Sequence, residues 1–289
     1  MLYQLLVSMR PRQWVKNTFV LPAVVFSRHL FEWPYLGRSL AGLACFCLLS
    51  GAVYLINDVA DRAQDRLHPQ KARRPIAAGL VPPSLAILVA AGLFALGLSS
   101  AYLLQPHFGF IALLFAALNL AYSCILKHVV LVDVLAVATG FLLRALGGAV
   151  VIQVPISTWF ILCSFMLALF LAVVKRRQEL VLLDRGAGRH RAILDDYSVS
   201  FLDQFISILT SATLVCYALY AMDVGGSSAD GQQMGWTLPF VLYGILRYLY
   251  VVYRQGAGDN PTAVVWRDRP LQVNLLLWLA TSVLIYYGL

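Results

Sequence analysis

Charge is scarce in this chain. Only 12% of its 289 residues are Asp, Glu, Lys or Arg and 60% are hydrophobic, whereas charged residues make up about a quarter of a soluble domain. With a mean hydropathy of +0.76, an ordinary water-soluble fold is excluded. Five cysteines, Cys45, Cys47, Cys124, Cys163 and Cys216, fall inside apolar runs and form no CxxC pair, which argues against a disulfide framework and against a thiolate metal site. The five histidines make no sequence-local ligand pair. No GxGxxG, P-loop, HExxH or GxSxG pattern occurs, so the common nucleotide, zinc-protease and hydrolase signatures are missing. The first residues, MLYQLLVSMRPRQW, lack a charged stretch before an apolar one; they read as a short interfacial helix with nothing to be cleaved.

Apolar length is what the chain has in abundance. A bilayer-spanning helix needs about 20 residues, and runs of that kind stand at 38–56, 84–104, 108–126, 129–150, 156–174, 202–222, 236–253 and 271–288. A ninth, 17–34, is weakened by Arg28 and Glu32. The basic residues sort with these runs: 18 of the 22 Lys and Arg lie in the alternate segments 10–16, 62–74, 127, 175–191 and 254–269. The positive-inside bias therefore predicts an all-α, polytopic membrane protein of nine transmembrane helices, N-in and C-out, forming a single domain over 1–289. It also accounts for the net charge of +8 without a nucleic-acid partner. The two largest inner segments, 57–83 and 175–201, lie four helices apart and suggest a faint two-half organisation. The outer segment 223–235, DVGGSSADGQQMG, reads as a connector.

The acids are concentrated in one place. Asn57, Asp61 and Asp65 recur every four residues, with Asp58 three before Asp61, so all four share a flank of one helix. Like charges at i, i+4 repel by roughly 0.2–0.5 kcal/mol unless a cation sits between them. Oxygen-only ligands without the glycine turn and terminal glutamate of a calcium loop favour Mg²⁺, which binds through one or two carboxylates and shares its other positions with water and substrate phosphate. The bland alternative pairs the acids locally, Asp58 or Asp61 with Arg62 and Asp65 with Arg66. Just downstream, His68, Lys71, Arg73 and Arg74 form a basic loop bracketed by Pro69 and Pro75, which stop helix continuation on both sides. Inside the spans, Asp133 lies near Lys127, and Arg144 stands eleven residues further on, about 16 Å along a helix. Charges at such depth mark either a pathway or a buried partner. Asp195, Asp196 and Tyr197 either close over a substrate or cap the following helix.

These residues resemble the UbiA superfamily of intramembrane transferases, whose first acidic motif reads NDxxDxxxD, here Asn57 to Asp65. Within it, the stretches RPRQWVKN at 10–17, LINDVADRAQDRLHPQKARRPIAAG at 55–79, VDVLAVATGFLLRALGG at 132–148, KRRQEL at 175–180 and WRDRPLQ at 266–272 are similar to polyprenyl-phosphate phosphoribosyltransferases. The resemblance implies a Mg²⁺-dependent transfer of the 5-phosphoribosyl group from phosphoribosyl diphosphate (PRPP) to a decaprenyl-type polyprenyl phosphate at the cytoplasmic membrane face, in cell-envelope glycan precursor synthesis. It implies Mg²⁺ on Asn57, Asp61 and Asp65, with Asp58 a weaker ligand or a partner of Arg62. Lys16, Lys71, Arg74 and Lys175 would neutralise donor phosphates, Tyr54 would contact the sugar, and Lys127 and Arg144 would engage the lipid phosphate. A homo-oligomer is compatible with all of this.

One departure narrows the choice. Aromatic prenyltransferases of the superfamily carry a second DxxxD motif, and here the acids of the corresponding region stand at 184, 195, 196 and 203 without that spacing. An aromatic prenyltransferase acting on a quinone or haem precursor with a prenyl diphosphate is thus the alternative enzyme. A non-catalytic lipid-phosphate carrier is the alternative from another class, and the acid cluster argues against it because carboxylates without a metal repel phosphate.

Overall fold

The computed structural model of the protein describes residues 1–67, 71–184, 196–223, 234–255, 264–265 and 267–287. Every regular element among them is helical. In chain order these are α1 (Leu2–Ser8), a 3-10 segment (Pro11–Val20), α2 (Pro22–Phe26), α3 (Trp33–Ala60), α4 (Arg62–Arg66), α5 (Pro83–Leu104), α6 (Pro106–Cys124), α7 (Val132–Ile152), α8 (Thr158–Asp184), α9 (Val199–Asp223), α10 (Leu238–Gln255) and α11 (Arg269–Tyr287). Eight of these helical stretches are long and apolar enough to cross a bilayer, beginning with α3 and α5 and ending with α11.

The run 17–34 is the exception among the nine expected. It is built as part of the 3-10 segment and the five-residue α2, not as one long helix. Proline explains the break: Pro22 has no N–H to give to the carbonyl four residues back, and its ring crowds that turn. Leu21 N–H bonds to Thr18 O instead, in the tighter 3-10 pattern. Arg28, with φ 65°, turns the chain away after α2. Pro34, at the first turn of α3, needs no such bond and starts the next helix.

The helices group into two compact units. Unit 1 comprises Met1–Ile125 and Leu143–Pro155; unit 2 comprises Leu126–Leu142 and Ile156–Leu289. The division passes through α7, which differs from the helix-by-helix halves that loop spacing suggested. In unit 1, α3 packs against α5 and α6. Phe46 on α3 meets Phe108 and Phe115 edge-on, with ring centroids 5.6 and 5.0 Å away. The C-terminal part of α7 comes closer still through paired glycines. A Cβ on Gly147 would stand 2.8 Å from the Phe46 ring, and one on Gly148 only 2.1 Å from Val20 O. That approach presses the 3-10 segment into the unit and fixes the depth of Asn17 and Arg144.

In unit 2, α8 packs along α9, and α10 along α11. Phe170, Val173, Val174, Leu202, Ile206, Ile245, Tyr248 and Val251 form its apolar core. Gln178 is buried there and donates to Val252 O at 3.0 Å, so a polar residue in an apolar wall is satisfied by backbone.

Candidate active site

The acidic flank forms as its spacing predicts. Although α3 ends at Ala60, Asp61 N–H still bonds to Asn57 O at 2.9 Å and Asp65 N–H to Asp61 O at 2.8 Å, so helical spacing continues into α4. Asn57 Nδ2 donates to Asp61 Oδ2 at 3.1 Å. Asp58 and Asp65 are buried, while Asn57 and Asp61 are half-buried.

Two segments cover this flank. The first is the loop after α4. Arg74 N–H bonds to Lys71 O, Ala78 N–H to Arg74 O, and both Leu80 and Val81 N–H to Pro75 O, which winds 71–81 into a compact knot closed by Gly79 at φ 81°. Ile76 and Val81 are fully buried against Ala52 and Leu55 of α3. Burying roughly two such side chains supplies about 1.5–3 kcal/mol each, enough to hold the loop on the helix. Arg74 Nη1 then lies 3.2 Å from Asp58 Oδ1 and 2.6 Å from Asp65 Oδ2. The proline-bracketed loop thus meets the acids as its sequence suggested; His68 and Pro69 lie outside the described residues.

The second segment was not expected. Leu5 and Met9 of the N-terminal stretch pack into the same cluster on α3. The chain then turns at Arg10, whose Nη2 donates to Asp58 Oδ1 and whose guanidinium lies over the Tyr54 ring at 4.9 Å. Sequence reasoning missed Arg10 because 48 residues separate it from Asp58; its only signal was its place in RPRQWVKN.

The local pairings expected of Asp58 and Asp65 do not form as written. Asp58 takes Arg10 and Arg74, not Arg62, because its face of α3 is the one that the loop and the N-terminal stretch cover. Arg62 Nε is buried with no partner among the described residues. Arg66 donates to Ala77 O at 3.0 Å and stays off its neighbour Asp65, since adjacent residues on a helix point to different faces.

Deeper in unit 1, Arg144 is buried and its Nε donates to Asn17 Oδ1 at 2.7 Å. Asn17 is itself fully buried, accepts from Ser50 Oγ at 3.2 Å and donates to Cys47 Sγ at 3.3 Å. The Arg144 guanidinium lies 4.5 Å from the Phe115 ring centroid. Of the other expected residues, Lys16 and Lys71 are half-buried, beside Asn17 and at the start of the loop turn. Lys127 and Lys175 belong to unit 2; Lys127 is half-buried in a 3-10 turn and Lys175 is exposed, 3.7 Å from Glu179.

Asp133 is a structural residue of unit 2. It is fully buried, Arg176 Nη2 lies 2.5 Å from its Oδ2, and Tyr197 Oη donates to its Oδ1 at 2.8 Å while accepting from Leu131 N–H at 2.7 Å. Burial pushes the Tyr197 hydroxyl up to about 12, helped by that carboxylate. Tyr197 is therefore an anchor for the start of α7, and Asp195 lies outside the described residues. Asp203, one of the acids weighed for a second motif, pairs with Arg177 at 2.5 Å and accepts from Tyr253.

Chemically, the unit 1 cluster joins hard oxygen donors to guanidinium and ammonium groups. Among the described residues no three His, Cys, Asp or Glu side chains converge into a ready-made metal cage. Asn57, Asp61 and Asp65 nevertheless fit an ion that takes part of its shell from a bound phosphate, as Mg²⁺ does.

Comparison with known proteins bears on that chemistry. The UbiA prenyltransferase family model matches residues 18–267. The decaprenyl-phosphate phosphoribosyltransferase of Mycobacterium tuberculosis is 37% identical over 279 residues, covering 95% of this chain and 91% of its own. That of Corynebacterium glutamicum is 33% identical, covering 97% and 86%. Among solved structures, a UbiA homologue from Archaeoglobus fulgidus bound to GPP and Mg²⁺ superposes with a TM-score of 0.73 over 98% of this chain and 99% of its own, at 18% identity.

Proposed function

The chain belongs to the UbiA prenyltransferase family, and from that premise we propose that it transfers the 5-phosphoribosyl group of PRPP to a decaprenyl-type polyprenyl phosphate, releasing pyrophosphate. The observation that carries this reading is identity of 33–37% with decaprenyl-phosphate phosphoribosyltransferases across nearly the whole of both chains. The juxtaposed acids and arginines in unit 1 support it, because a donor bearing a diphosphate and a 5-phosphate needs both.

Asn57, Asp61 and Asp65 would hold Mg²⁺, which supplies charge neutralisation to the leaving diphosphate. Lys16, Lys71 and Arg74 bind donor phosphate oxygens and keep the sugar oriented, and Tyr54, half-buried one turn before Asp58, walls the sugar. The acceptor phosphate has a second pKa of about 6 and is already anionic near neutrality, so no residue is needed as a general base. Arg144, held in register by Asn17, attracts that phosphate in a low-dielectric setting. As ribose C1 gains oxocarbenium character, the carboxylates of the flank stabilise it. The roles of Lys127 and Lys175 as lipid-phosphate and donor contacts rest on sequence alone. The chain is a multi-pass membrane protein; the basic segments support a reading in which it is N-in and C-out with this site on the cytoplasmic face of the inner membrane, and its role in that reading is envelope glycan synthesis.

The test is chemical. Purified protein in detergent, given Mg²⁺, PRPP and a polyprenyl phosphate, should convert the lipid to a species heavier by one phosphoribosyl group, read by mass spectrometry. A lipid that binds but is recovered unchanged would make the protein a carrier.

A further inference from the structure

We infer that Arg10 is a further phosphate-binding residue of this site and that Asp58 is the positioning residue that presents it, together with Arg74, to the donor. The inference rests on the phosphoribosyl-transfer reading and assigns within it two residues whose roles differ from those the motif suggests.

The backbone at Arg10 is the first sign. It adopts φ 53° and ψ 62°, the left-handed region, with Pro11 immediately after it. A residue with a Cβ takes up that conformation only at a free-energy cost, and such outliers persist where the surroundings impose them. Here the imposition is visible. Arg10 N–H bonds to Val7 O at 3.1 Å, Gln13 N–H to Arg10 O at 2.8 Å, and Trp14 Nε1 to Met9 O at 3.1 Å. Met9 is seated over Gly51 of α3, where a Cβ would come within 3.0 Å of its methyl group. The turn therefore aims the side chain at two residues one helical turn apart on α3, Tyr54 under the guanidinium and Asp58 at its edge.

Exposure separates the roles. The Asp58 side chain is 2% exposed, whereas those of Arg10 and Arg74 are 28% and 26% exposed. One carboxylate oxygen, buried beneath two reachable guanidiniums, takes a nitrogen from each. Asp65 is buried too but holds Arg74 alone, whereas Asp58 holds both arginines and so orients two planar forks, the groups best matched to phosphate oxygens. Stability does not explain the arrangement. A buried ion pair contributes little net free energy, and the left-handed turn subtracts from it.

Calorimetric titration of PRPP with Mg²⁺ into wild type, Arg10→Gly and Asp58→Asn in detergent tests this, with unfolding midpoints and separate KM values for donor and lipid. Glycine accepts the left-handed turn freely and buried Asp58 keeps Arg74 as a partner, so Arg10→Gly should fold with a modestly lowered unfolding midpoint. It should bind PRPP about tenfold more weakly or worse, the loss of one charge-assisted contact, with the lipid KM unchanged. Asp58→Asn should also weaken PRPP while the half-saturating Mg²⁺ concentration stays put. Arg10→Gly binding PRPP like wild type, or losing stability and both affinities together, overturns the assignment of Arg10. A raised Mg²⁺ requirement with donor affinity kept in Asp58→Asn makes Asp58 a metal ligand and overturns its positioning role. Wild type that binds no PRPP overturns the phosphoribosyl reading itself, a result distinct from any of these.

Discussion

Asp133 and Arg176 form an ion pair in the interior of unit 2, with Oδ2 and Nη2 2.5 Å apart, Asp133 fully buried and the Arg176 side chain 6% exposed. Removing one partner of such a pair strands the other and costs about 3–5 kcal/mol, whereas replacing both by apolar residues is often neutral. Asp133→Leu and Arg176→Met should each lower the unfolding midpoint in detergent, and the double variant should recover most of the loss. Single variants as stable as wild type would remove the pair from the fold's support.

The Tyr197 hydroxyl that shares Asp133 gives unit 2 an alkaline limit. Its folded-state value of about 12 exceeds the ordinary value of about 10, so its contribution is complete below pH 10 and is lost as pH rises toward 12. The wild-type unfolding midpoint should fall across that window. Tyr197→Phe should start lower and fall less; parallel curves would contradict the assignment.

Asp61→Asn should abolish turnover with the unfolding midpoint shifted by no more than about 0.5 kcal/mol, the usual range away from buried features. The residue is half-buried beside Asn57, so it can hold a ligand without supporting a core. Activity within a few-fold of wild type would exclude it from the site.

Lys71→Ala and Arg74→Ala should separate in kind. Both should raise the KM for PRPP more than that for the lipid. Arg74→Ala should also lower stability, by about 1–3 kcal/mol, because buried Asp58 and Asp65 lose a charged partner. If both variants change membrane orientation alone, the loop's charge serves topology.

The donor itself distinguishes the two enzyme readings. PRPP with Mg²⁺ should raise the unfolding temperature of the purified protein, by about 2.7 kcal/mol of stabilisation at a hundredfold excess over Kd. Geranyl or farnesyl diphosphate, lacking a 5-phosphate, should shift it less. Strong protection by prenyl diphosphates with none from PRPP would favour prenyl transfer.

What could be read from sequence was whatever repeats at short range. The acid flank has a helical period, the loop at 71–81 is marked by prolines and lies next to the helix it covers, and eight of the long apolar runs became helices. What could not be read joins distant positions. Asn17 and Arg144 are 127 residues apart and Tyr197 and Asp133 are 64 apart, and no periodicity announces either pair. Hydropathy marked 17–34 as apolar but not how it is built, since it sums side-chain transfer and is blind to the missing N–H of Pro22.

Gly148 carries a consequence for any chain built on this plan. At 2.1 Å from the Val20 carbonyl, the place of its missing methyl is already taken by backbone. Position 148 is therefore a gauge that needs no structure to read. A relative with alanine there must have moved its 3-10 segment outward, and with it the amide that grips Arg144. Its Asn17–Arg144 pair would sit at a different depth however faithfully the acidic motif were preserved.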